Sequence, residues 1–248
     1  MKCSVLYILL FFYSCSADKG TIKVKGSDTE VNLAVLLVEA FHDKNDSLLI
    51  SVSGGGSGLG IASLLNGTAD IANSSRSINE EEIALFSNKS IQLSTFNFAE
   101  DAIAFVVSDK LPLDSINTKD LANILKGDYI NWSQLVKKDI PINIYGRQSN
   151  SGTYEFIKKI LDIHFSSHAK QLNGNAQILE AIKADNSGIG YVGAGYVMKG
   201  TMHGIKILKY LQIQAWLYLR WMRQKLHLMH TFFSARYFNI IKLRIMKK

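Results

Sequence analysis

The sequence has almost no cysteine, and it has no apolar run long enough to cross a membrane. Its two cysteines, Cys3 and Cys15, fall within the first fifteen of 248 residues, so no disulfide can cross-link the body of the protein. The apolar stretches near the two ends both stop short of the roughly twenty residues that a spanning helix needs. With 47% hydrophobic residues, the chain can bury a core as one large domain or two small ones, and folding must rest on packing.

Acidic residues are missing from the C-terminal part of the chain. The last one is Asp185, whereas residues 205–248 carry ten of the 28 Lys and Arg residues. The rest of the chain therefore holds 18 basic residues against all 21 acidic ones. The formal net charge of +7 thus belongs to the tail. The body is mildly acidic, which argues against nucleic acid as a partner.

Motifs for several kinds of chemistry are also absent. The stretch GGGSGLG lacks the acidic residue that follows a dinucleotide fingerprint, and Walker lysine spacing is missing. Ser151 has no G-x-S-x-G elbow around it. His164 and His168 lie four apart without a nearby Glu base or a third ligand for zinc. The sequence therefore predicts a binding protein rather than an enzyme, with no cofactor and no metal.

The first fifteen residues have the pattern of a secretory signal. Lys2 precedes an apolar run from Val5 to Tyr13, and the small residue Ser14 stands directly before Cys15. A cysteine at this place resembles the bacterial lipobox, in which the cysteine becomes the lipidated first residue. The alternative is an ordinary signal with a chance cysteine. Both predict an exported protein, in the periplasm or on the outer face of the cell membrane, and the first predicts a lipid anchor.

Strand, polar loop and helix alternate along the chain. The segments TIKVKGSDT, SLLISVSGGGSGLG and ADIANSSR are each predicted to run from a strand into a loop, with an amphipathic helix following. Ser77 is the predicted cap of the third helix, because Glu80 to Glu82 enrich its first turn. A longer β-rich run, IQLSTFNFAEDAIAFVVS, is predicted to carry the chain from one lobe to another. This order indicates an α/β fold with mostly parallel strands.

The predicted architecture is two α/β lobes with a ligand cleft between them, at the C-terminal ends of the strands. The boundaries drawn from the sequence are a signal peptide at 1–15, lobe I at 20–99, lobe II at 100–192, a return to lobe I at 193–208, and a basic tail at 209–248.

Four polar loops each follow a predicted strand and open a predicted helix: Gly26–Thr29, Gly56–Gly58, Asn73–Arg76 and Arg147–Thr153. Helix N-termini present unsatisfied N–H groups to an anion, hydroxyl side chains add donors, and two of the loops carry an arginine suited to oxyanions. Ser and Thr are also common helix caps. Four such loops in one chain nevertheless indicate a shared anion site.

Five stretches, in their order and spacing, resemble the phosphate-binding component of the high-affinity phosphate ABC importer: KGSDT, SGGGSGLGIASLLNGTADIANSSR, NWSQL, RQSNSGTYEF and GIGYVGAGY. The resemblance covers residues 21–208 and implies a type II periplasmic-binding-protein fold that closes around one dehydrated phosphate. It also implies a monomer that hands phosphate to the membrane permease of the importer. The implied phosphate-binding residues are Ser27, Thr29, Ser57, Ser75, Arg76, Arg147, Ser151, Gly152 and Thr153.

Within that resemblance, Arg147 is the charged clamp. Some members of the family carry an aspartate where this sequence has Arg76, and that aspartate accepts a proton from the ligand. Selection against sulfate by that carboxylate is therefore not implied, and Asp28 is a conceivable substitute acceptor. Two other functions stay open, a phosphate-ester hydrolase using the same pocket and an inactive surface lipoprotein.

The resemblance stops after GIKILK. The family continues through a Pro-containing loop and a strand that completes the first lobe, whereas this chain continues with an aromatic and basic segment that has no acidic residue, proline or glycine. Such a composition is typical of out-of-frame translation and predicts a first lobe that is incomplete at its C-terminal end. A membrane-surface segment is the alternative, because apolar residues lie beside Arg220 and Arg223.

Overall fold

The computed structural model describes residues 20–197, 203–211 and 233–244, so the predicted signal with Cys15 lies outside the described part. The strands are β1 (Thr21–Gly26), β2 (Leu49–Ser53), β3 (Ile71–Ser74), β4 (Gln92–Ser108), β5 (Ser115–Asn117), β6 (Asn143–Arg147), β7 (Lys170–Leu172), β8 (Gly188–Gly193), β9 (Ile205–Ile207), β10 (Lys209–Leu211) and β11 (Phe233–Arg244). The helices are α1 (Val31–His42), α2 (Ser57–Leu65), α3 (Glu80–Asn88), α4 (Thr118–Lys126), α5 (Gly152–Ile160) and α6 (Asn175–Ala184). Short 3-10 helices cover Asp28–Glu30, Trp132–Gln134 and Ala194–Tyr196.

One large mixed sheet runs through the molecule in the order β2-β1-β3-β11-β4-β8-β6-β7, and β9 also pairs with β4. On one side β1 is parallel to β2 and β3, and on the other β6 is parallel to β7 and β8. We call β1–β3 with α1–α3 the first lobe, and β5–β8 with α4–α6 the second lobe. The alternation of strands and helices confirms the predicted α/β class.

The strand β4 joins the two lobes, as its sequence predicted. Its 17 residues pair with β11 from Gln92 to Ile103 and with β8 from Ile103 to Val107. The lobe boundary drawn at residues 99 and 100 falls inside this strand. That boundary stays a prediction, because β4 belongs to the sheet of both lobes.

The second lobe has the larger core. Trp132 is fully buried in it, and its indole Nε1 donates a hydrogen bond of 2.9 Å to the carbonyl oxygen of Ser187. The other members include Leu121, Ile124, Leu125, Ile157, Ile189 and Tyr191. Dense packing beneath β6 and α5 keeps the two ends of the loop between them in fixed positions.

The first lobe is packed less completely. Its core is a small cluster that includes Ile61, Leu64 and Phe86. Helix α1 leaves large apolar side chains exposed, among them Leu36 and Leu37. That the first lobe is incomplete at its C-terminal end stays a prediction.

The cap of α3 differs from the predicted one. Asn79, not Ser77, is the N-cap: its Oδ1 accepts from the backbone N–H of Glu82 at 2.8 Å. In return Glu82 Oε2 accepts from the backbone N–H of Asn79 at 3.0 Å. This reciprocal capping box requires the acidic residue three positions after the cap, and Glu82 meets that condition for Asn79.

The tail region contributes β11, which is antiparallel to β3 on one side and to β4 on the other. Strand pairing uses backbone N–H and C=O groups, which every residue except proline supplies. The presence of this strand therefore does not test the frameshift hypothesis, which stays a prediction. Residues 212–232, with Arg220 and Arg223, lie outside the described part. Among the described helices, none has the length and apolarity that crossing a membrane requires.

Candidate anion site between the lobes

Three loops of the first lobe bring serine hydroxyls together. Ser27 Oγ donates to Ser75 Oγ at 3.1 Å, and Ser57 Oγ lies 3.3 Å from Ser75 Oγ. The backbone N–H of Ser75 also donates to Ser57 Oγ at 3.1 Å. Because β1, β2 and β3 are parallel neighbours, the loops after them meet at one edge of the sheet. The sequence predicted these three residues, and the structure gathers them.

The second lobe supplies the loop between β6 and α5. Arg147 ends the strand, Ser151 is the N-cap of α5, and Gly152 and Thr153 form its first turn. Ser151, Gly152 and Thr153 are buried, and the Ser151 side chain makes no capping hydrogen bond. The first N–H groups of α5 therefore keep the capacity to bind an anion.

The two lobes touch through these loops. Thr29 Oγ1 lies 2.9 Å from Thr153 Oγ1. The backbone N–H of Gly58 donates to the carbonyl oxygen of Asn150 at 3.0 Å, and Asn150 Nδ2 donates to the carbonyl oxygen of Gly55 at 3.3 Å. The four loops that the sequence singled out thus meet in one place between the lobes.

Gly152 stands where the start of α5 comes close to the serine cluster of the first lobe. A Cβ added there would stand 2.8 Å from Ser57 Oγ and closer still to Ser75 Oγ. The missing side chain lets the start of α5 approach the serine cluster of the opposite lobe.

Replacing Gly152 by alanine is expected to weaken anion binding roughly 5- to 150-fold, since overpacking by a methyl group typically costs about 1–3 kcal/mol. The new methyl group must displace Ser57 and Ser75 or hold the lobes apart. The matched control is Gly195→Ala, where a Cβ meets nothing within 4 Å. Titration calorimetry with phosphate on both variants checks this. Equal affinities for both would mean that α5 does not close on the serines when the anion binds.

Arg147 is the buried cation of the site. Only 2% of it is exposed, its Nη2 donates to the carbonyl oxygen of Asn173 at 3.0 Å, and its Nη1 lies 3.6 Å from Asp28 Oδ2. Its Nε and Nη1 are buried and have no hydrogen-bond partner in the structure. Burial lowers the pKa of Arg147, and the charge of Asp28 opposes that change. Buried donors without acceptors are destabilising, so this guanidinium suits an oxyanion.

Arg76, the other predicted arginine, is engaged elsewhere. Its Nη1 and Nη2 donate to Glu82 Oε2 at 2.8 Å and to Glu82 Oε1 at 2.7 Å, in a bidentate ion pair. The hydrogen bonds that Arg76 donates to Glu82 raise the pKa of Arg76. Its charge is therefore balanced within the first lobe. A direct contact of Arg76 with the ligand stays a prediction.

Several residues of the site were missed by the sequence reasoning. Asn175, at the start of α6, donates to Asp28 from its backbone N–H at 2.9 Å and from its Nδ2 at 2.7 Å. The Tyr191 hydroxyl accepts from the backbone N–H of Arg147 at 3.0 Å. Tyr191 lies in the stretch GIGYVGAGY, which carries the family resemblance. That stretch predicts a strand region but no role for the Tyr191 hydroxyl. Nothing in the sequence marks Asn175.

A buried acid lies directly behind the site. Glu30 follows Thr29, is 0% exposed, and has no hydrogen-bond partner for either carboxylate oxygen in the structure. Burial and the nearby Asp101 raise the pKa of Glu30 to about 9, and burial raises the pKa of Asp101 to about 6. Among the described residues, no group of three or more His, Cys, Asp or Glu side chains is placed to hold a metal ion.

Comparisons with known proteins identify the family and the fold. A family model described as a PBP superfamily domain matches residues 14–218. The phosphate-binding protein PstS of Borreliella burgdorferi is 29% identical over 207 residues, which are 79% of this chain and 72% of that protein. Protein SphX of Synechococcus elongatus is 28% identical over 204 residues, which are 78% of this chain and 60% of that protein.

Two solved structures share the fold. One is a phosphate ABC transporter substrate-binding protein of Clostridium perfringens with bound phosphate, which is 21% identical, with a TM-score of 0.75 over 90% of this chain and 86% of that one. The other is an ABC-type phosphate transport receptor of Vibrio cholerae, 24% identical, with a TM-score of 0.61 over 90% of this chain and 87% of that one. The chain belongs to the PBP superfamily, which confirms the family and the fold that its motifs predict.

Proposed function

We propose that this protein captures inorganic phosphate outside the cytoplasm and delivers it to the membrane permease of an ABC importer. The observation that carries the proposal is the buried Arg147 guanidinium beside the loops that meet between the lobes. Its Nε and Nη1 atoms make no hydrogen bond within the protein. The names of the relatives support phosphate as the ligand.

The donor set suits a tetrahedral dianion. A dehydrated phosphate in a closed cleft needs one full positive charge and several hydrogen bonds at once. Arg147 supplies the charge, while the serine cluster and the start of α5 supply short donors. Hydroxyl groups also accept hydrogen bonds, so Ser27, Ser57 or Ser75 can accept a hydrogen bond from the protonated oxygen of hydrogenphosphate. Sulfate at neutral pH has no such proton to donate, and this difference favours phosphate without an acceptor carboxylate.

The same arrangement argues against the hydrolase alternative. A serine nucleophile needs an adjacent general base. The hydroxyls of Ser27, Ser57 and Ser75 are hydrogen-bonded to one another rather than to a histidine or a carboxylate. The relatives are named as binding proteins, which supports binding without turnover.

Export and anchoring complete the proposal. The sequence pattern before Cys15 supports a lipid anchor that holds the protein at the outer face of the cell membrane, where it acts as a monomer in this proposal. Such an anchor keeps the binding protein close to the permease that receives the phosphate.

Titration of the protein with phosphate, sulfate and molybdate tests the ligand. We expect a saturable heat with phosphate and a weaker one with the other two anions, because only hydrogenphosphate can donate a hydrogen bond to the serine cluster. Circular dichroism on the same sample establishes that the chain is folded. A folded sample that gives no heat with phosphate would refute the proposal. Turnover of a chromogenic phosphate ester that disappears in Ser151→Ala would replace it with the hydrolase.

A further inference from the structure

Asp28 connects the first lobe to three places beyond it. It begins the 3-10 helix after β1, and its Oδ2 accepts two hydrogen bonds from Asn175, at 2.9 Å and 2.7 Å. The same oxygen lies 3.6 Å from Arg147 Nη1. The carbonyl oxygen of Asp28 accepts from the hydroxyl of Tyr196 at 2.9 Å. Asp28 thus contacts three residues outside the first lobe through both its side chain and its backbone.

The contact with Asn175 has the character of a helix cap supplied by the opposite lobe. Asn175 is the first residue of α6 and is fully buried, and its own Oδ1 accepts from the backbone N–H of Gly193 at 3.0 Å. A carboxylate at a helix N-terminus is stabilised by the free N–H groups and the helix dipole. The contact is available only when the lobes are together, so it favours the closed arrangement.

The contact with Arg147 sets the orientation of the guanidinium. The carbonyl oxygen of Asn173 holds Nη2, and the carboxylate of Asp28 attracts Nη1. A planar guanidinium held at both Nη atoms has a fixed orientation, and its buried Nε and Nη1 atoms make no hydrogen bond within the protein. Asp28 therefore acts on the ligand through Arg147, while its Oδ2 is already occupied by the donors of Asn175.

We propose that Asp28 is a positioning residue that latches the first lobe onto the N-terminus of α6 and orients Arg147 toward the bound anion. This inference rests on the proposed phosphate site. It makes the GSDT loop responsible for holding the cleft closed as well as for donating to the ligand. Because this contact holds the closed cleft together, it governs dissociation more than association.

The test compares Asp28→Ala, Asp28→Asn and the control Asp70→Asn in stopped-flow measurements of phosphate association and dissociation. Asp70 is also in the first lobe and accepts a backbone hydrogen bond, from Lys23 at 2.8 Å, but it precedes β3 at the end away from the cleft. We expect Asp28→Ala to raise the dissociation rate at least tenfold, with a change of less than threefold in the association rate. Asp28→Asn keeps an oxygen for Asn175 and should fall between Asp28→Ala and the parent. Asp70→Asn should match the parent.

A double-variant cycle with Asn175→Ala needs no ligand. If Asp28 and Asn175 hold each other, the protein with both changes should melt no lower than the less stable single variant. Additive losses would overturn the latch, and so would an unchanged dissociation rate in Asp28→Ala. A folded parent that binds no phosphate would refute the proposed function instead, and the melting cycle would still decide whether the latch exists.

Discussion

Replacing Arg147 by alanine is expected to weaken phosphate binding by roughly two to four orders of magnitude. Breaking a buried ion pair typically costs about 3–5 kcal/mol, because the remaining charge is left without compensation. Arg147 is almost fully buried and stands where the loops of both lobes meet, so water cannot take its place at low cost. Titration calorimetry on the parent and the variant measures the change directly.

Two further variants make that experiment specific. Arg147→Lys keeps the charge but not the planar fork, so its affinity should lie between those of the parent and Arg147→Ala. Arg76→Ala is the matched arginine control. Because Arg76 is paired with Glu82, its loss should weaken binding far less. If Arg147→Ala binds phosphate as tightly as the parent, with its fold intact by circular dichroism, this loop is not the anion clamp. A large loss in Arg76→Ala would make that residue a second clamp.

Replacing Glu30 by glutamine is expected to stabilise the protein by about 3 kcal/mol at pH 7, as an order of magnitude. The pKa of Glu30 is about 9 in the folded protein, against 4.5 for the ordinary carboxyl. The folded state therefore binds more protons than the unfolded state between these two values. The contribution of Glu30 to stability is fully present below pH 4.5 and is lost as the pH rises toward 9. Glutamine has no proton to lose, so the variant escapes this loss.

Denaturant unfolding at a series of pH values measures the effect. The parent and Glu30→Gln should have nearly equal stability at pH 4 to 5, and the gap should widen by up to about 1.4 kcal/mol per pH unit above that range. Glu39→Gln, on the exposed surface of α1, is the control and should track the parent at every pH. A gap that does not change with pH would show that the Glu30 carboxylate is ionised in the folded state.

The local elements of this fold were predictable because their signals are local. Hydrophobic periodicity depends on residues a few positions apart, so the strand, loop and helix units around β1 to β3 and around β6 and α5 follow from the sequence. The residues at which helices begin were harder to predict. Ser77 and Asn79 are both good caps, and only the position of Glu82 relative to each decided between them. Helix α6 was not predicted, since its apolar positions follow a weak turn signal at Gly174.

The residue types of the candidate anion site could also be predicted from the sequence. Hydroxyl residues, glycines and arginines follow four of the strands. In an α/β fold, loops after parallel strands lie at the same edge of the sheet. The residues that position the site through long-range contacts could not be predicted. Asn175 is 147 positions from Asp28 along the chain, and no periodicity spans such a distance.

The sequence by itself determined the family, the α/β class and the four loops that we propose face the ligand. Tertiary structure alone distinguished the two arginines, and on that difference rests the proposal that Arg147 is the clamp. Arg76 and Arg147 stand in loops of the same type. They differ because Arg76 makes a bidentate ion pair with Glu82 of α3, whereas two buried nitrogens of Arg147 make no hydrogen bond. It also decided that the tail region contributes a strand between β3 and β4. Pairing, burial and charge compensation depend on distances in space, and those distances exist only once the chain has folded.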